Sequence, residues 1–113
     1  MSNDKRKELM KITRATFGFG GYDDAQFGLS LSFEGKGCGT DTFIGAWSFP
    51  PSEHAQWTVA DQSQLFADAV RLLVSTLTDA KKKHVGELVG VPVEVTFEGN
   101  MLKEWRVLTE LIL

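Results

Sequence analysis

Residues 58–83 run TVADQSQLFADAVRLLVSTLTDAKKK. Leu65, Ala69, Leu72, Leu73, Thr76, Leu77 and Ala80 recur at three- and four-residue spacing. That is the period of an amphipathic helix. Thr58 is suited to the N-cap, and Asp61 three residues on makes a variant of the capping box. Trp57 is placed to pack beside the first turn as a hydrophobic staple. Lys81, Lys82 and Lys83 close the segment, where positive charge meets the negative end of the helix dipole. His84 follows, where a histidine commonly caps. The apolar arc also takes in Phe66, Val70 and Val74, which is wider than one sheet face needs. Val70 and Val74 therefore expect a cover, either the 50–57 segment or a second subunit. A homodimer or higher homo-oligomer is the expectation.

Around this helix the chain reads as strands and turns. Gln26–Glu34 alternates Phe27, Leu29, Leu31 and Phe33 with Gly28, Ser30 and Ser32, so one face is apolar and the other small and polar. Lys11–Phe19 reads as the first strand. Thr13, Ala15, Phe17 and Phe19 share one side, and Ile12, Arg14 and Thr16 the other. Asp41–Phe49 is a third strand with Phe43, Trp47 and Phe49 on one face, ended by Pro50-Pro51. Pro92–Glu98 and Met101–Leu111 form a hairpin about Gly99-Asn100. The order β-β-β-α-β-β predicts an α+β fold, a five-stranded antiparallel sheet with one long helix packed on one face. Residues 1–10 are expected as a flexible or short helical leader, and residues 11–113 as a single α+β domain. The expected core is Leu29, Leu31, Phe33, Val95 and Phe97 against Leu65, Leu72, Leu73 and Leu77.

The composition narrows the class. Cys38 is the one cysteine among 113 residues, so no disulfide forms within the chain. No run approaches the roughly 20 apolar residues of a membrane span, and residues 1–9 lack the apolar stretch of a signal peptide. A cytoplasmic protein without a membrane partner is expected. The net charge of −3 is uneven, with +3 over residues 1–14 and −6 over residues 15–80. The aromatics of the first three strands have acidic or neutral neighbours. A nucleic-acid platform wants basic ones, so nucleic acid is a poor fit.

Lys11-Ile12-Thr13, Phe17-Gly18-Phe19-Gly20-Gly21-Tyr22, Gly28-Leu29, Gly37-Cys38-Gly39, Trp57-Thr58, Gly90-Val91-Pro92-Val93-Glu94-Val95 and Trp105-Arg106-Val107-Leu108-Thr109-Glu110 together resemble a family of small proteins of unknown function carried by bacterial viruses and prophages. The resemblance covers nearly the whole chain after residue 10. It implies a setting, a viral accessory protein working inside a bacterium, and carries no site with it.

No arrangement in the sequence amounts to a catalytic or cofactor signature, and no cofactor is expected. Gly18-x-Gly20-Gly21 and Gly35-x-Gly37-x-Gly39 do not lead from a strand into a helix as a dinucleotide site requires. They sit where hairpins must turn. Asp23 and Asp24 lack the further acids that a hard cation needs, and His54, His84 and Cys38 make no zinc set by spacing. Cys38 has no histidine placed to activate it. The candidate binding residues are Tyr22, Asp23, Asp24, Lys36 and Asp41. They suit a non-enzymatic binding protein, a host-interaction or counter-defence factor that occupies a host protein. Two alternatives stand beside it. A small-ligand sequestering oligomer would bring Tyr22, Lys36 and Arg106 onto a nucleotide-type signal. A small enzyme would use the Gly-rich turns.

Overall fold

The computed structural model describes residues 5–112. Five antiparallel strands form one sheet: β1 (Lys5–Gly20), β2 (Gln26–Gly35), β3 (Cys38–Trp47), β4 (Pro92–Glu98) and β5 (Met101–Val107). Their spatial order is β3-β2-β1-β4-β5. One helix, α1 (Val59–Ala80), crosses from β3 to β4 on one face. The expected architecture is therefore the observed one, and its two layers make a slab of 46 × 42 × 21 Å.

The caps of α1 follow from its sequence. Asp61 N–H donates to Thr58 Oγ1 at 3.1 Å, and Thr58 N–H donates to Asp61 Oδ2 at 2.8 Å. The helix ends earlier than Lys83. Lys81 turns left-handed at φ 59°, and Lys82 N–H closes back on the Leu77 carbonyl at 3.0 Å. The lysines thus lie past the last turn. His84 does not cap α1, because Glu87 gathers the Lys83 and His84 N–H groups into a separate short turn at 85–88.

The helix meets the sheet along small residues. Ala69, Thr76 and Ala80 are buried, and Thr76 Oγ1 is satisfied by the Leu72 carbonyl at 2.7 Å. Leu72, Leu73 and Leu77 flank that line and pack against the core. Leu65, an expected core residue, is 41% exposed. Close approach along alanines and threonine sets the bulkier side chains to either flank. Leu65 shares the flank of Leu72 but lies near the start of α1, beside Ala46, Trp47 and Trp57, where the cover is incomplete.

β1 is the hub of the sheet, and it begins well before residue 11. Residues 5–10, expected as a leader, pair with β4 from Lys5↔Glu98 to Lys11↔Pro92. Residues 1–4 of that expected leader lie outside the described residues. The alternation of Arg6, Glu8 and Met10 against Lys5, Lys7 and Leu9 suits a strand with one face over the core, and Met10 is 1% exposed. From Lys11 to Gly20 the same strand pairs with β2 instead. The register slips by one residue between Ile12 and Arg14. This bulge returns Ile12 to the face of Ala15 and Phe17, opposite Phe33 and away from Arg14. The uninterrupted alternation that put Ile12 beside Arg14 does not survive it.

Two expected strands end before their apolar patterns do, and β3 also begins earlier than expected, at Cys38. β3 stops at Trp47, where Gln62 Nε2 donates to the carbonyls of Trp47 (2.6 Å) and Phe49 (3.0 Å) and draws the chain toward α1. β5 stops at Val107, and a short turn at 109–111 follows, tied to α1 by Thr109 Oγ1 on the Asp79 carbonyl at 2.9 Å.

Candidate binding surface

The face of the sheet away from α1 is open. Its rows run Arg14–Ser32–Asp41, Thr16–Ser30–Phe43 and Gly18–Gly28–Gly45 across β1, β2 and β3. Strand spacing sets Arg14 and Asp41 roughly 10 Å apart with Ser32 between them. Small residues in the middle row leave a groove of about 400 Å³, lined by Arg14, Thr16, Ser30, Asp41, Phe43 and Asp24. Gly28 and Gly45 in the adjoining row are required by packing. A Cβ on Gly28 would run into the Ile44 carbonyl and come to 2.6 Å from Gly45 Cα. A Cβ on Gly45 would meet the Phe27 carbonyl in the same way. Arg14 has no ion-pair partner among the described residues.

The β1–β2 turn closes one end of this groove. Gly21 has φ 69°, and Asp23 and Asp24 both have φ 53°. A left-handed residue other than glycine costs about 1–2 kcal/mol, and aspartate is among those that tolerate it best. The turn is held in place. Ala25 N–H donates to the Tyr22 carbonyl at 3.0 Å, and the Ala25 carbonyl accepts from both the N–H and the hydroxyl of Ser48 at 2.9 Å. Tyr22 stands at the tip, 74% exposed, beside these two carboxylates.

The expected site residues therefore separate into groups. Tyr22, Asp23 and Asp24 share the turn. Asp24 and Asp41 share the groove. Lys36 sits in the β2–β3 turn at the other end of β2, in a different hollow with Glu34, Lys11 and Leu111. Arg106 is on β5, bound bidentately by Glu110 at 2.9 and 3.3 Å and by Glu94 at 3.3 Å. The Glu110 and Glu94 carboxylates hold the guanidinium's pKa up, and Arg106 in turn holds Glu110 below the usual carboxylate range. Tyr22, Lys36 and Arg106 thus do not converge within one chain. Cys38 is exposed at the start of β3, and His54 lies 3.4 Å from Glu53 on the surface.

Arg14 and Phe43 are the groove residues that sequence reasoning missed. For Arg14 the signal was present in the alternation of Arg14, Thr16, Gly18 and Gly20 against Ala15, Phe17 and Phe19. No family model, curated protein or solved structure matches this chain.

Proposed function

We propose that the protein is a non-enzymatic binding protein whose working surface is the Tyr22 turn and the polar groove behind it. The observation that carries this is Tyr22 itself. It is a large aromatic held 74% exposed on a backbone whose two following residues are both left-handed. Backbone strain maintained by surrounding hydrogen bonds is characteristic of functional positions. A rigid aromatic brings much contact area at little entropic cost, and such residues anchor interfaces. Asp23, Asp24 and Asp41 give the rim an acidic character, which suits a basic patch on a protein partner. In the setting that the resemblance implies, that partner is a protein of the bacterial host.

The test replaces Tyr22 by alanine and Asp23 and Asp24 by glycine. Glycine keeps the left-handed turn while removing both carboxylates. The triple variant should retain its thermal midpoint and lose activity in infected or expressing cells. Full activity, or a loss that tracks unfolding, overturns the assignment. Mass spectrometry of small molecules released from the heat-denatured protein separates the readings. A stoichiometric bound nucleotide would replace the protein-partner reading by the small-ligand one.

A further inference from the structure

β1 changes partners midway, and this leaves two lengths of open edge. Lys5–Lys11 pairs with β4, and Lys11–Gly20 pairs with β2. On the β4 side, pairing ends at Ile12, whose N–H donates to the Val91 carbonyl (3.0 Å) and whose carbonyl accepts from Gly90 N–H (2.6 Å). Ile12 thus directs its backbone groups away from β2. Ala15, Phe17 and Phe19 face Leu31, Leu29 and Phe27 in the same alternating series as Ile12 facing Phe33. Their N–H and C=O groups therefore also point to the β4 side, beyond the end of β4. Among the described residues nothing accepts or donates there.

The two open lengths differ in character. The first, on the β2 side of residues 5–8, is Lys-Arg-Lys-Glu. Charge of this kind keeps an edge from pairing. The outer edge strand β5 is guarded likewise by Lys103, Glu104 and Arg106. The second, residues 14–20, is Arg-Ala-Thr-Phe-Gly-Phe-Gly, with one charge in seven residues. Ala15 within it is buried, and the short turn at 85–88 packs against β1, but Phe19 at its far end is uncovered. α1 lies chiefly over β3 and β2 and makes scant contact with β1. An apolar trough of about 400 Å³ remains between β1 and the helix flank, lined by Phe17, Phe19, Phe27, Phe66 and Val70. Phe19 is 69% exposed, Val70 48% and Val74 57%.

We infer that this edge and trough are the interface with a second copy of the chain, joined antiparallel through residues 14–20 of β1. Charge singles out that occupant. The edge carries a cation at one end, Arg14, and two carboxylates just past the other, Asp23 and Asp24. Antiparallel self-pairing about a two-fold at Phe17 sets Arg14 opposite the partner's Gly20, beside the partner's acidic turn. Opposite signs meet at both ends of one isologous contact. A parallel copy would oppose like charges. The two-fold also sets Ala15 opposite the partner's Phe19 on the helix side, so the apolar residues of both troughs adjoin. The two sheets then run on as one, and the exposed edge is consumed.

The test is the mass in solution of the intact chain and two variants. The wild type should sediment as a dimer of twice the 12.5 kDa chain. Phe19→Lys places a charge in the interface twice per dimer and should raise the dimer dissociation constant by about 100-fold or more, with the far-ultraviolet spectrum unchanged. Leu9→Lys makes the same change at a residue 66% exposed on the charged half of β1 and should leave the mass unaltered. A wild-type monomer at high concentration overturns the inference, including the case in which the edge takes a foreign strand instead. A dimer indifferent to Phe19→Lys, or broken equally by Leu9→Lys, also overturns it.

Discussion

Gly28 and Gly45 show how much of this surface is set by single atoms. Neither can accept a methyl group without displacing the neighbouring strand. Gly28→Ala should cost about 1–3 kcal/mol, the usual range for forced overpacking. Gly18, in the same row, has nothing within 4 Å of an added Cβ. Gly18→Ala should fall within about 0.5 kcal/mol of wild type, as surface changes do. Equal losses in chemical denaturation would contradict the packing described. Two carboxylates make a second residue-level test. Backbone N–H groups of Lys83 and His84 lower the pKa of Glu87, and Arg106 lowers that of Glu110. A carboxylate depressed in the folded state contributes stability above its unfolded pKa, about 4.3. That contribution is lost as pH falls through the folded value. Wild type should therefore lose more of its thermal midpoint between pH 5 and about pH 3 than a Glu87→Gln, Glu110→Gln double variant. Parallel curves would show that these contacts do not persist in solution.

At the scale of elements, the load falls on β2 and its neighbours. Phe33 is fully buried, opposite Ile12 and 5.1 Å from the Trp105 ring centroid. Phe33→Ala should cost about 3–5 kcal/mol, while the half-buried Leu73→Ala should cost less than the 2–5 kcal/mol of a fully buried leucine. The reverse order in denaturant melts would move the core toward the helix. The sequence made most elements plain, because periods of two and of 3.6 are local properties. Thr58 and Asp61 announced the cap, and Gly99-Asn100 the last hairpin. What it hid was non-local. The bulge at Thr13 shows only once Phe33 and Ser32 are known to be the partners of Ile12 and Arg14. The strand character of Lys5–Met10 depends on β4, which lies some eighty residues away in the chain. Leu65 was misplaced because helical period reports a face and not how near that face comes to the sheet. Of the site, Tyr22 with its two aspartates was legible as a turn tip. The small, polar face at Gly28, Ser30 and Ser32 was legible in the alternation of β2, but the groove's walls were not, because Arg14 and Asp41 meet it from strands that only the fold brings side by side.

For the whole molecule, the Cα radius of gyration of 15.5 Å exceeds the roughly 13 Å expected of a compact chain of this size. The excess comes from a sheet whose central strand is long and whose helix covers only one flank of it. Open surface of two kinds results, a polar groove capped by Tyr22 and an apolar trough beside an unpaired edge. Both depend on the division of β1 between two neighbours. Amide hydrogen exchange along β1, followed residue by residue at two protein concentrations, tests that division most directly. The N–H groups of Arg14, Thr16 and Gly18 should be protected at both concentrations by β2. Those of Ala15, Phe17 and Phe19 should exchange quickly in dilute solution and slow as the protein is concentrated. Equal protection of all six at high dilution, or fast exchange of all six, would contradict the account.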